Sequence, residues 1–118
     1  MSILDWLDDA KDFFVDLLET LWDKIKHVFL TVCRFAVNVV RFFKDPSRLS
    51  KLKRNKDLLA VSIKENLNNG QVRVVNCLFN EETEEVEDFE EDALGMEAGG
   101  VDQELANAFG NKPMVILQ

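Results

Sequence analysis

The sequence contains no tyrosine and a single histidine, and its five glycines are scattered along 118 residues. No GxGxxG or Walker A loop is present, which excludes these two kinds of nucleotide-binding site. None of the serines stands in a nucleophile-elbow pattern, so a hydrolase of that type is not indicated. The lone His27 lies six residues from Cys33, on a different face of a helix, and cannot serve it as a base. We therefore expect a protein that is not an enzyme and needs no cofactor.

Cysteine is scarce, and Cys33 and Cys77 lie far apart within apolar stretches. There is no CxxC and no Cys/His cluster, so no zinc site is predicted. The pattern favours buried free thiols in a reducing compartment. Asp5, Asp8 and Asp9 occupy the start of the chain, where a secretory signal would need basic residues. We expect a cytoplasmic protein, with a membrane-peripheral location as the alternative.

The net charge of −8 hides three blocks of alternating sign. Residues 1–23 contain seven acids and one base, which gives −6. Residues 24–56 contain ten bases and one acid, which gives +9. Residues 57–118 contain fourteen acids and three bases, which gives −11. Such segregation indicates contacts between regions of opposite charge.

Polar residues recur every three or four positions from Asp5 to Arg41, the period of an α-helix. No glycine or proline interrupts residues 3–44, and Pro46 ends the run. The spacing predicts one long amphipathic helix over residues 3–44, with a length of roughly 60 Å. Together with its flanking residues, this helix forms a predicted N-terminal unit of residues 1–45. Its polar stripe is narrow, so a wide apolar face must be buried.

That apolar face predicts a partner, because a soluble monomer rarely exposes so large a patch. The helix could pair with copies of itself, lie on a membrane, or bend near residues 20–27. Arg34 and Arg41 make a membrane-spanning helix unfavourable. The predicted oligomer, partner or membrane face consists of Trp6, Phe13, Phe14, Leu17, Leu21, Trp22, Phe29, Phe35, Phe42 and Phe43.

Residues 46–57 read as a basic connector, either a solvated linker or a short helix capped by Ser47. The candidates for contact with an anion are Arg34, Arg41, Arg48, Lys51, Lys53, Arg54 and Lys56. Lipid headgroups, phosphates or the acidic block of another copy would suit them. No aromatic residue interleaves the connector, so we expect no direct nucleic-acid binding.

The period changes to two after Leu58, which predicts strands at residues 59–63 and 72–79 joined by a turn at Asn68-Asn69-Gly70. A third strand is predicted within residues 86–96. Asp102 and Gly110 would cap a short helix, and residues 114–117 form a last strand. The predicted fold class is α+β: a long N-terminal amphipathic α-helix followed by a small antiparallel β-sheet module, residues 58–118, with one short helix.

Nine acids fall within residues 81–92 and form a predicted acidic patch. They are Glu81, Glu82, Glu84, Glu85, Glu87, Asp88, Glu90, Glu91 and Asp92. The spacing of a calcium loop is absent. The patch suits a solvated surface, a contact with the basic block of another copy or with another protein's basic surface, or mimicry of a nucleic-acid backbone.

These observations favour a non-enzymatic assembly and interaction protein. We expect it to homo-oligomerise through its N-terminal helix and to display the acidic module. The first alternative is a peripheral membrane protein anchored on an anionic surface by the basic amphipathic segment 24–56. The second alternative is an acidic inhibitor that mimics nucleic acid.

Overall fold

The computed structural model describes residues 11–117, and the side chains from Asp16 to Leu117. The first half of the chain contains helix α1 (Lys11–Trp22), strand β1 (Lys26–Leu30), a π-helical segment (Phe35–Val40), helix α2 (Arg41–Phe43) and helix α3 (Pro46–Arg54). The second half contains strands β2 (Leu58–Asn66), β3 (Val72–Asn80), β4 (Glu85–Glu87) and β5 (Leu94–Ala98), helix α4 (Gln103–Phe109) and strand β6 (Met114–Leu117).

The strands form one mixed six-stranded sheet with the order β1-β5-β3-β2-β6. Strand β4 pairs with the end of β3 beyond β5. The β1–β5 pair is parallel and the others are antiparallel. Strands β1 and β6 are therefore the two ends of this path, and the chain is an α+β protein built around one sheet.

The predicted single helix over residues 3–44 is wrong, because α1 ends at Trp22. The amides of Lys24 and Ile25 both donate to the Leu21 carbonyl, and the His27 ring donates from Nε2 to the Trp22 carbonyl. The next five residues then pair with β5, about 70 positions further along the chain. The spacing of polar residues reflects only local periodicity and contains no information about so distant a partner. The prediction of an antiparallel sheet is wrong for the same reason, because β1 pairs with β5 in parallel.

Helix α1 covers one face of the sheet. Leu18, Leu21 and Trp22 pack there against side chains from β2 and β3, including Val61 and Val75. Leu18 and Val61 are fully buried. For the part of α1 whose side chains are described, the apolar face is therefore buried within the same chain.

The π-helical segment, α3 and α4 lie against the opposite face, where Val39, Phe43 and Phe109 fill a second core. A buried polar chain runs beneath the π-helical segment: Ser62 donates to Asn76, and the Asn76 amide donates to the Asn38 carbonyl at 2.9 Å. This bond links the π-helical segment directly to β3.

Two aspartates fix the starts of these helices. Asp102 accepts from Leu105 N at the start of α4 and also from Phe35 N at the start of the π-helical segment. Asp45 accepts from the amides of Ser47 and Arg48, so it caps α3 in place of the predicted Ser47. Proline at the first helical position leaves Asp45 extended, as the sequence predicts.

The local signals of the second half are confirmed for β2, β3, β6 and α4 with its two caps. The predicted single strand within residues 86–96 is instead β4 and β5 with a turn between them. Asp88, at φ 41°, begins that turn, and the amide of Asp92 donates back to the Asp88 carbonyl at 2.8 Å. The acidic residues in between therefore leave the sheet.

Candidate interaction surfaces

Strand β1 is an edge strand with two exposed apolar side chains, which follow the exposed Lys26 and His27. Phe29 is 75% exposed and Val28 is 38% exposed, and Val32 just beyond the strand is also exposed. Natural proteins usually blunt a sheet edge with charge, proline or a covering element. Lys26 stands at the start of β1, but the centre of the strand is open and hydrophobic. This edge is the first candidate surface.

The unpaired hydrogen-bonding groups of β1 can be assigned from one contact. The Gly99 amide donates to the Leu30 carbonyl, so Leu30 directs its backbone groups toward β5. Direction alternates along a strand, and Val28 shares the orientation of Leu30. His27 and Phe29 therefore direct their N–H and C=O groups outward, away from the sheet.

An aromatic stack lies immediately behind this edge. The His27 and Trp22 rings are stacked with centroids 4.2 Å apart and an interplanar angle of 15°. They lie over Gly95 of β5, where a Cβ atom would come within 2.7 Å of the Trp22 ring. Glycine at this position lets the stack approach the sheet, and Phe29 extends the same face outward.

A charged row crosses the same face one step further along the strands. Arg73 lies 3.5 Å from Glu97 and 3.9 Å from Glu65, and its guanidinium is 4.7 Å from the Trp22 ring centroid. Burial, and then the neighbouring carboxylate of Glu19, raises the pKa of Glu65. The charges of this row contact one another across adjacent strands, so we assign it a structural role.

Two of the predicted anion-contact residues are used inside the chain. Arg48 Nε lies 3.3 Å from an Asp92 carboxylate oxygen, near enough for an ion pair although not aligned for a hydrogen bond. Lys51 contacts both Asp92 and, at 3.6 Å, Asp88. The hydrogen bond to Asp92 raises the pKa of Lys51. The basic and acidic blocks thus meet within one molecule at this point.

Arg48 also connects three segments of backbone. Its guanidinium donates to the carbonyls of Phe42 and Glu91, at 3.2 and 3.0 Å, and lies over the Phe42 ring at 3.8 Å. The Arg48 side chain therefore links α2, α3 and the acidic turn. The sequence predicts contact with an external anion for this residue, whereas the structure shows its guanidinium in contacts within the chain.

The other bases between residues 34 and 56 are exposed to solvent. The exposed set comprises Arg34, Arg41, Lys44, Lys53, Arg54 and Lys56. Among the described residues, none of these six forms an ion pair. Their charge is therefore available to an external anion, which makes this region the second candidate surface.

The acidic patch is not uniform. Asp92 is buried beside two half-buried bases, and Glu87 accepts a hydrogen bond from Asn80. The hydrogen bond with Asp57 raises the pKa of Glu82, which is on the surface. The exposed members are Glu82, Glu84, Glu85, Asp88, Glu90 and Glu91. Most of the patch is thus solvated, whereas Asp92 belongs to the internal ion cluster.

The predicted aromatic and apolar face is divided by the fold. Leu21, Trp22 and Phe43 are buried in the two cores, and Leu17, Phe35 and Phe42 are half-buried against them. Phe29 alone of the described members is exposed to solvent. Trp6 lies outside the described residues, as do the side chains of Phe13 and Phe14.

The two thiols are buried and free, as the sequence predicts. Burial raises the pKa of Cys77 to about 12, and burial followed by the charge of Asp102 raises that of Cys33 to about 11. Over residues 16–117, where side chains are described, there is no cluster of three or more metal-binding groups. In the same part of the chain, no helix has the length and hydropathy needed to cross a membrane.

Comparison with protein-family models, with curated proteins and with solved structures finds no match to this chain.

Proposed function

We propose that this chain is a non-enzymatic interaction protein that self-associates by pairing the β1 edges of two copies. The observation that carries the proposal is Phe29, three-quarters exposed on an edge strand that pairs with β5 and with no other described strand. Self-association was expected along a long helix. Because α1 packs against the sheet, the proposal moves to β1, which contains Phe29, the most exposed large apolar side chain of the described residues.

The outward orientation of His27 and Phe29 limits the register of an antiparallel pair. A two-fold axis at Val28 sets His27 opposite Phe29 of the second copy and lets all five residues of β1 pair. The two His27–Phe29 pairs would exchange four backbone hydrogen bonds. Each Phe29 would then cover the aromatic stack of the other copy, as cross-strand aromatic pairs do.

The contact is small, so the dimer should be weak. Four backbone hydrogen bonds contribute about 1 kcal/mol each, and covering each Phe29 contributes roughly 1.5–2 kcal/mol. The loss of translational and rotational freedom offsets much of this gain. With an offset of about 4 kcal/mol, the low end of its range, roughly 3–4 kcal/mol remains, which corresponds to a dissociation constant on the order of 1 mM.

Sedimentation velocity over a concentration series that reaches about 1 mM tests the proposal. Wild type should shift from monomer toward dimer, and Phe29→Lys should weaken the association at least about tenfold, because a charge at the edge resists pairing. Val37→Lys is the matched control, since Val37 is 42% exposed but lies outside β1. A monomer at every concentration, or equal effects of the two substitutions, would contradict the proposal.

A further inference from the structure

We propose that the outer surface of the π-helical segment, α2 and α3 docks on a bilayer containing anionic phospholipid. This surface shares no residue with β1, so the inference stands apart from self-association. It rests on exposed bases that form no ion pair with the described part of the chain and on apolar side chains placed among them.

The first half of the surface is an open groove. Val37, Arg41 and Lys44 line it together with Pro46, the first residue of α3. Val37 and Arg41 are four residues apart and Arg41 and Lys44 three, so they lie on one side of these helical turns. The groove therefore combines an exposed valine with the positive charges of Arg41 and Lys44, which form no ion pair with the described residues. Asp45 also lines the groove, but its carboxylate accepts hydrogen bonds from the amides of Ser47 and Arg48.

The second half continues along α3. Pro46, Leu49 and Lys53 are spaced three and four residues apart and so share one side of the helix. Leu49 and Lys53 are exposed, whereas Leu52 packs against the core. Pro46 belongs to both halves, which makes the surface continuous from Val37 to Lys53.

The opposite flank of α3 is unsuited to this role. Arg54 and Lys51 line a separate groove with Glu87, Asp88 and Asp92. An anionic surface would be repelled there, so only the Val37–Lys53 side can approach it. This separation lets a chain with net charge −8 present a locally basic face.

Two features favour lipid over nucleic acid. Exposed apolar side chains among the bases gain contact with the acyl boundary of a bilayer, whereas a phosphate backbone offers them nothing. The basic helix α3 contains no aromatic side chain on which bases could stack. The charge complementarity is thus with a headgroup layer that also has an apolar interior.

Vesicle flotation of the full chain tests the proposal. Binding to vesicles of phosphatidylcholine with about 30% phosphatidylserine should exceed binding to phosphatidylcholine alone and should weaken as salt is raised. Arg41→Gln with Lys44→Gln should lower the partition coefficient about 25-fold, or about fivefold for each charge. The control double variant, Lys24→Gln with Lys112→Gln, removes two positive charges that lie outside the proposed docking surface. It should change the partition coefficient less than twofold.

Val37→Ser separates the apolar contribution, since it should weaken vesicle binding severalfold without changing the charge. The proposal is overturned if the protein does not bind the vesicles that contain phosphatidylserine, or if Val37→Ser has no effect on that binding. It is also overturned if the control double variant weakens vesicle binding as much as the double variant of Arg41 and Lys44 does. Binding of a DNA or RNA oligonucleotide that displaces the vesicles would also overturn it, because the face would then belong to nucleic acid.

Discussion

The ion cluster at Asp92 should be a main tie between α3 and the rest of the chain. The Asp92 side chain is 5% exposed and contacts both Arg48 and Lys51. Breaking a fully buried ion pair costs about 3–5 kcal/mol, because one charge is left without a partner. The two bases here keep some contact with water, which reduces the effect. We expect Asp92→Asn to lower the free energy of unfolding by about 2 kcal/mol.

Asp88→Asn is the matched control. Asp88 contacts the same lysine, at 3.6 Å, but its side chain is 47% exposed. Asparagine also tolerates the positive φ of this position, so the backbone should not change. The expected loss is under about 0.5 kcal/mol, as for other exposed pairs.

Urea unfolding followed by tryptophan fluorescence measures both variants, because Trp22 is packed in the core that unfolding exposes. A loss of about 2 kcal/mol is a large part of the stability of a small domain and should shift the midpoint clearly. The reasoning is refuted if Asp92→Asn unfolds within about 0.5 kcal/mol of wild type. It is equally refuted if the two variants lose the same stability.

Three further predictions concern packing, titration and the extent of the folding unit. Gly95→Ala should cost about 1–3 kcal/mol by overpacking against Trp22, whereas Gly100→Ala, with open space around it, should be near neutral in the same urea assay. Burial raises the pKa of Glu65, so its contribution to stability is present below the unfolded pKa and is lost as pH rises through the folded pKa. Glu65→Gln should therefore be more favourable at pH 7 than at pH 4, by under about 1 kcal/mol, and equal effects at the two pH values would contradict this. A fragment of residues 57–118 should give the circular dichroism of an unfolded chain, because both cores take side chains from before that point; a cooperative unfolding transition would show otherwise.

The sequence predicted the elements whose signals are local. Alternation located β2, an apolar run located β3, and Asp102 with Gly110 marked both ends of α4. These signals depend on side chains within a few residues of one another. Their success shows that the second half of the chain is locally consistent with its fold.

The same approach failed where a distant partner decides the structure. Residues 26–30 carry helix-compatible spacing, yet they form a strand because β5 supplies hydrogen bonds along their length. The charge blocks predicted a contact between the acidic segment of one copy and the basic segment of another. Arg48 and Asp92, however, meet within one copy, because the turn that starts at Asp88 brings the acidic run beside α3. The spacing of charged residues along the sequence does not predict where that turn lies in the fold.

Disulfide trapping at Val28 tests the central claim, antiparallel pairing of β1, most directly. A two-fold axis at Val28 sets the two copies of this residue opposite each other, in a pair without backbone hydrogen bonds and with Cα atoms about 4.5 Å apart. That separation is within the range a disulfide can bridge. Under mild oxidation Val28→Cys should form a linked dimer, while Val37→Cys, of similar exposure, should remain monomeric. Equal cross-linking of the two variants, or none at Val28→Cys, would contradict the account.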